Sequence, residues 1–145
     1  MTNEAQPSSA DIFAHDGWFI RLPQTGEKVL GGALTINNQI VFTTYVPDEN
    51  VVHCEPAIGS GLLYAVSALD GSPTTDFGGN NDGNRQNLGV EDRTKILAHS
   101  GIPPEPSALI TEENVPVLAA GQELIGEIDF GSLTNRTWWQ EASTD

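Results

Sequence analysis

The chain has 145 residues and a mass of 15.5 kDa, which is enough for one domain with a buried core and not for two. Six Lys and Arg residues against 20 Asp and Glu residues give a formal net charge of −14. Such a surface repels phosphate, which argues against nucleic acid and against anionic lipid as partners. It tolerates cations, above all Ca²⁺, although solubility in a salty environment is the simpler explanation of the charge.

Targeting signals and cysteine content further restrict the kind of protein that this chain can be. The longest apolar runs fall far short of the roughly 20 residues that a membrane helix needs, so no membrane insertion is expected. The N-terminal residues carry neither a basic nor an apolar segment, so the sequence predicts no signal peptide. We therefore expect a cytosolic protein or a piece of a longer exported chain. The single cysteine, Cys54, excludes an internal disulfide and a multi-cysteine zinc site.

The pattern along the chain indicates one domain made of short strands. Residues 1–15 are small and polar and are expected to be a flexible lead-in, 16–141 form the domain, and 142–145 are a frayed tail. The 15 glycines and 9 prolines are typical of a chain rich in turns. The first apolar run, 17–22, is bounded by a glycine and a proline and predicts a strand.

A hairpin is the clearest local signal. Residues 28–36 and 39–46 are β-branched and aromatic runs on either side of Asn37-Asn38, and asparagine tolerates the positive φ of a two-residue primed turn. Both faces of the second arm are fairly apolar, which is typical of a strand packed on both sides. The pair Gly31-Gly32 in the first arm predicts a bulge or a close backbone approach.

Residues 61–69 predict the next strand. Leucine and alanine also favour a helix, but the flanking glycines, the short length and the Asp70-Gly71 turn favour a strand. The polar stretch within 71–95 is expected to be a loop. Further extended segments are predicted at 95–99, 107–111, 115–120, 122–130 and 135–140, and Pro116 is placed at an edge or at the start of a strand. The sequence therefore predicts an all-β fold of antiparallel sheets.

Several of these segments, in this order, resemble one family. The pieces are Gly17-Trp18-Phe19-Ile20, Gly26-Glu27-Lys28-Val29, Phe42-Thr43-Thr44-Tyr45-Val46-Pro47, a loop with Cys54, Leu63-Tyr64-Ala65-Val66, the Asn80 to Asn84 loop, 100–106 and 136–141. Together they resemble the C-terminal β-propeller of the PilY-type proteins, which build and cap type IV pili and serve as tip adhesins. The resemblance covers roughly residues 16–141.

The resemblance implies a partial β-propeller with quinoprotein-like blades. At roughly 40–45 residues per blade, the chain holds about three blades and cannot close a ring alone. Its sheet edges are therefore expected to pair with a partner, with missing blades or with another copy in a homo-oligomer.

The implied function is a non-enzymatic part in type IV pilus biogenesis and surface adhesion. Its location would be the cell surface, the pilus tip or the periplasm, and its partners would be pilins or other pilus-tip components. One alternative is a quinoprotein-like propeller enzyme or cofactor-binding subunit that needs further blades or copies to close. Another is a β-domain of a larger complex.

In pilus relatives a loop of the Asp-x-Asn-x-Asp-Gly kind binds Ca²⁺ through alternating carboxylates and amides. The residues at the corresponding place here, which the resemblance implies as ligands, are Asp76, Asn80, Asp82 and Asn84. The first ligand position of the pattern falls on Gly78, so Glu91 or Asp92 is an alternative contributor. An ordinary solvated turn is the competing interpretation.

No catalytic site is predicted. The chain has no nucleophile elbow, phosphate loop or dinucleotide fingerprint, and His15, His53 and His99 are scattered. His53 and Cys54 would point to opposite faces of a strand, so a loop pair with a free or intermolecularly bridged thiol is the expectation. At least one of Trp138 and Trp139 is expected in the core, against an exposed adhesive patch as the alternative, and Trp18 and Tyr45 are expected to pack.

Overall fold

The computed structural model describes residues 7–48, 58–79, 88–110 and 116–127. Within these ranges there are two short helical segments, α1 (Ser9–Phe13) and a 3-10 turn (Val90–Arg93). The strands are β1 (Lys28–Val29), β2 (Leu34–Ile36), β3 (Gln39–Val46), β4 (Ser60–Ser67), β5 (Thr94–Ser100), β6 (Pro106–Ile110), β7 (Pro116–Ala120) and β8 (Glu123–Glu127). No helix in these ranges is long and apolar enough to cross a membrane.

The strands form two antiparallel sheets. In the first, called here the large sheet, β1 and β2 both pair with β3, followed by β4 and β5. The small sheet has the order β6-β7-β8. The prediction of an all-β fold with antiparallel sheets is confirmed. Neither sheet closes on itself within the described residues, so the structure supports this class and not a propeller.

The predicted hairpin is confirmed in its turn and in its register. Asn37 and Asn38 have φ of 45° and 61°, and Ile36 faces Gln39 across the turn. Both central residues therefore adopt the positive φ that a primed turn requires. The first arm is interrupted between β1 and β2, where the amide of Gly32 donates a 2.8 Å hydrogen bond to Oε1 of Glu105. The close approach expected at the glycine pair is made by the side chain of Glu105, whose Cγ would lie 2.9 Å from a Cβ built on Gly31.

The core lies between the two sheets. Val41 of β3 and Leu63 and Ala65 of β4 point to the same side, where they cluster with Leu118 and Ala120 of β7. These side chains are almost fully buried. In β4, consecutive residues are buried, so this strand is covered on both of its faces. The strand predicted at 61–69 is confirmed, and Asp70-Gly71 ends it with Gly71 at φ 70°.

Later strand predictions also hold where the structure describes them. The segments 95–99, 107–111, 115–120 and 122–130 correspond to β5, β6, β7 and β8, with Pro116 at the start of β7 and Gly121 at φ 65° between the last two strands. The segment 135–140, with Trp138 and Trp139, lies outside the described residues.

One local prediction was wrong. Residues 17–22 form no strand, although their side chains alternate between exposed and half-buried. The indole Nε1 of Trp18 donates to the carbonyl of Ala68 at 3.0 Å, so a side-chain hydrogen bond rather than a backbone ladder holds this segment. Within the predicted lead-in 1–15, the described residues include the single helical turn α1. Phe13 is 89% exposed, so local hydrogen bonds rather than packing hold this turn.

Candidate functional site

The structure describes Asp76 among the four residues predicted to bind calcium. Asp76 is half-buried, and its Oδ1 accepts a 2.7 Å hydrogen bond from the amide of Gly79. Asn80, Asp82 and Asn84 lie outside the described residues. In the part of the chain that is described, no three or more His, Cys, Asp or Glu side chains are grouped to hold a metal ion. The calcium site therefore stays a prediction.

Asp92, considered as a substitute ligand, has a different environment from the one a solvated calcium loop requires. The side chain is fully buried, and it accepts hydrogen bonds from the amides of Gly78 at 3.0 Å and Gly89 at 2.7 Å. These two glycines flank the polar stretch on its two sides. Asp92 therefore brings the two ends of that stretch together at the 3-10 turn.

A buried polar cluster lies on the face of the large sheet opposite the core. Glu27 accepts hydrogen bonds at Oε1 from the hydroxyls of Thr44, at 2.7 Å, and Tyr64, at 2.8 Å. Its Oε2 accepts a 3.1 Å hydrogen bond from the amide of Gln24. A buried carboxylate is stable only when such donors replace water, so these contacts fix the turn before β1 against β3 and β4. We call Glu27, Thr44 and Tyr64 the Glu27 cluster.

Tyr64 is held as a hydrogen-bond donor in this cluster. Burial raises the pKa of its phenol well above the ordinary value, and the hydrogen bond to Glu27 raises it further. Its ring stacks on that of Phe42 with centroids 4.8 Å apart and planes 8° apart. A phenol that keeps its proton cannot serve as a general base at neutral pH, so the chemistry of this group is to donate a hydrogen bond.

A pocket of about 140 Å³ opens beside Tyr64. Ile20 and Pro23 from the segment 17–23 and Val90 from the 3-10 turn form apolar walls. Three charged residues, Arg21, Glu91 and Arg93, also line the pocket. We call it the arginine pocket. Arg93 is only 2% exposed. Burial lowers the pKa of Arg93, and the neighbouring Asp70 and Tyr64 act in the opposite direction.

The outer face of the small sheet carries two exposed leucines. The register places Ser107, Ala119 and Leu124 in one cross-strand row and Leu109, Val117 and Glu127 in the next, on the side away from the core residues Leu118 and Ala120. Ala119 in the first row is buried. The side chains of Leu109 and Leu124 are 47% and 65% exposed. In the described part of the chain, β6 and β8 each have one side that pairs with no other strand.

Of the remaining predicted residues, His15 and His99 lie on separate parts of the described structure. His53, Cys54, Trp138 and Trp139 lie outside the described residues. His15 is exposed near α1, whereas His99 lies in β5 beside a separate cleft of about 310 Å³ between the two sheets. Trp18 and Tyr45 are both half-buried, as their predicted packing role requires. The sequence missed Glu27, Asp92 and Arg93 as buried charges.

Comparisons with protein-family models, with curated proteins and with solved structures gave no match to this chain. The resemblance to the PilY-type family therefore depends on the sequence motifs alone.

Proposed function

We propose that this chain is a non-enzymatic binding component of type IV pilus biogenesis and surface adhesion, located at the cell surface, on the pilus tip or in the periplasm. The observation that carries the binding part is the exposure of Leu109 and Leu124 on the outer face of the small sheet, where β6 and β8 each have one edge that pairs with no other strand among the described residues. An exposed apolar sheet surface of this kind favours contact with another protein. The pilus part is supported by the motifs at 42–47 and 63–66.

Recognition would use two features of the small sheet at once. An extended segment of a partner can add to the edge of β6 or β8 through backbone hydrogen bonds, which supply affinity. Leu109 and Leu124 on the adjoining face then supply apolar contact for the partner's side chains. Pilins and other pilus-tip components are the partners that the motifs favour.

A partial propeller is the architecture that goes with this proposal. A propeller blade is a four-stranded antiparallel sheet, and β2, β3, β4 and β5 are consecutive strands that lie next to one another in the large sheet. This arrangement supports a blade-like unit whose neighbouring blades come from a partner or from another copy. Calcium would order the acidic stretch that includes Asp76 and Asp82 and so modulate binding.

The experiment is site-specific photo-crosslinking in the cells that produce the protein. A photoreactive phenylalanine analogue is placed at Leu124, on the outer face of the small sheet, and the adducts are identified by mass spectrometry. A second variant carries the same group at Phe13, which is 89% exposed but lies on α1, away from the strands. We expect adducts with pilins or pilus-tip proteins from position 124 and few from position 13.

Two results would contradict the proposal. Equal adducts from both positions would show that the small sheet is not a specific binding face. Adducts from position 124 that contain only proteins unrelated to pili would leave a binding module but refute the pilus assignment.

A further inference from the structure

The two outer strands of the small sheet differ in regularity. β6 pairs with β7 residue by residue over 106–110, whereas the register of β8 with β7 shifts at Ile125. The carbonyl of Ile125 accepts a 3.4 Å hydrogen bond from Nζ of Lys95, which ties β8 to β5. An irregular strand and an occupied backbone group both hinder the addition of another strand. Among the described residues, the unpaired edge of β6 is therefore the better site for an extended segment.

The packing of the two sheets leaves a position for such a segment beside β6. β6 lies against β3 and β8 lies against β5, and Leu118 of β7 clusters with Leu63 of β4. Because β2 lies beyond β3, the position opposite β2 is next to the edge of β6. Leu34 and Ile36 of β2 are half-buried on this side of the large sheet. An added strand would cover them.

Both faces of β6 are available for contact. Residues 107–110 are all exposed, although Ala108 pairs with Leu118, which is fully buried. Consecutive side chains of a strand point to opposite faces, so Leu109 lies on the outer face and Ala108 and Ile110 on the side of the core. A segment at the edge of β6 therefore meets apolar surface on each face.

The charge of this part of the chain restricts the kind of segment. Residues 105–127 contain no lysine, arginine or histidine and five glutamates, which are Glu105, Glu112, Glu113, Glu123 and Glu127. The net charge of the whole chain is −14, so a second copy is repelled, whereas a segment with lysine or arginine is attracted. These basic side chains also have apolar stems that can lie on Leu109.

We propose that the edge of β6 binds an extended partner segment in which apolar and basic residues alternate. The apolar side chains of the segment cover Leu34, Ile36 and Ile110, and its basic side chains lie beside Leu109 on the outer face. This inference rests on the proposed function, because it names the edge and the segment chemistry through which the partner binds.

The test is an NMR titration of the full chain with the peptide acetyl-Val-Lys-Val-Lys-Val-Lys-amide. As a strand, this peptide has its valines on one face and its lysines on the other. One control peptide has glutamate in place of each lysine, and a second has the three valines first and the three lysines last. We expect saturable shifts of the amides of residues 107–110 with the alternating lysine peptide and about tenfold weaker binding of each control.

Two variants with matched exposure locate the binding edge. The side chains of Ile110 on β6 and Leu124 on β8 are 66% and 65% exposed, so glutamine at either position leaves the core intact. Ile110→Gln should weaken binding of the lysine peptide by about tenfold, because it removes apolar surface that the peptide buries. Leu124→Gln should leave binding unchanged, because β8 lies two strands, roughly 10 Å, from β6.

The inference is wrong if the shifts centre on β8, if the three peptides bind equally or if the two variants have equal effects. Absence of peptide binding also refutes it, and sedimentation of the free chain then shows whether a second copy fills the edge. Any of these results leaves the proposed function in place if position 124 still gives adducts with pilus proteins. Peptide binding at β6 without such adducts would instead refute the pilus assignment alone.

Discussion

Thr43 and Thr44 are neighbours on β3 whose hydroxyls have different acceptors. Thr44 donates to the carboxylate of Glu27 at 2.7 Å, and Thr43 donates to the carbonyl of Pro104 at 2.9 Å. Both side chains are buried, so each substitution by valine removes one buried hydroxyl at nearly constant shape. We expect Thr44→Val to lower the free energy of unfolding by about 1.5–3 kcal/mol and Thr43→Val by about 0.5–1.5 kcal/mol, because hydrogen bonds to charged groups are stronger.

Urea unfolding of the two variants measures this difference, with the slope of the transition as a check on two-state behaviour. Each threonine is the control for the other, since both lie on one strand and lose the same atoms. An equal cost at the two positions would show that Glu27 gains no more from Thr44 than a neutral carbonyl does.

Asp70 is expected to make the free energy of unfolding depend on pH in the acid range. Burial by itself raises the pKa of this carboxyl, but hydrogen bonds from the hydroxyl and amide of Ser72 outweigh it and hold the pKa below its ordinary value of 3.8. At a pH between the folded and unfolded pKa values, Asp70 is therefore protonated in more of the unfolded chains than of the folded chains. Asp70 therefore contributes stability above its unfolded pKa and loses that contribution as the pH falls through the lower folded pKa.

The corresponding variant is Asp70→Asn. Below about pH 4, its melting temperature should fall less steeply with decreasing pH than that of the wild-type chain. Asp16→Asn makes the same charge change at an exposed position and serves as the control. The assignment fails if the acid slopes of the wild-type and Asp70→Asn proteins coincide.

At the scale of elements, the lead segment 17–23 is attached to the large sheet by Trp18. A Cβ built on Gly71 would lie 2.7 Å from Cε3 of this indole, and Gly71 has φ 70°. Gly79 has a similar φ of 65°, and among the described residues no atom lies within 4 Å of such a Cβ. Alanine at either position is strained by about 1–2 kcal/mol, and crowding of the ring adds about 1–3 kcal/mol at Gly71 alone.

Gly71→Ala should therefore destabilise the chain more than Gly79→Ala does in denaturant unfolding. The difference between the two costs isolates the contact with Trp18, because the backbone strain is common to both. Equal costs would mean that the indole does not pack on the turn in solution.

The same elements show how far the sequence predicts local structure. The β2–β3 hairpin is encoded locally, since Asn37 and Asn38 fit the turn and the alternation of β3 matches its two buried faces. The segment 17–23 has the alternation of a strand but no ladder. Periodicity indicates which side chains are buried, whereas strand pairing also requires an available strand edge. β3 pairs with β4 along one edge, and β1 and β2 already occupy its other edge.

At the scale of the whole molecule, the fold class was predictable and the buried charges were not. Alternating runs between glycines and prolines indicate strands without any tertiary information. Glu27, Asp92 and Arg93 follow no periodic pattern, and each looks like an ordinary surface charge until the chain folds over it. The arginine pocket joins residues 20–23 to residues 90–94 across the sheet, which no local sequence signal indicates.

The net charge of −14 makes the stability of the whole chain depend on ions. Self-repulsion is screened by any salt, so KCl should raise the melting temperature gradually. A specific calcium site adds a different dependence, because a ligand that binds only the folded state stabilises it by about 2.7 kcal/mol at a hundred times its dissociation constant. We expect Ca²⁺ to raise the melting temperature more than Mg²⁺ at equal ionic strength, and a chelator to reverse the effect.

Asp82→Asn and Asp16→Asn separate a calcium site from general screening. Both variants lose one negative charge, but only Asp82 belongs to the predicted ligand set. The extra effect of Ca²⁺ over Mg²⁺ should disappear in Asp82→Asn and persist in Asp16→Asn. If the two cations stabilise the wild-type chain equally, the acidic surface responds to ionic strength alone, and the predicted ligands Asp76, Asn80, Asp82 and Asn84 form no calcium site.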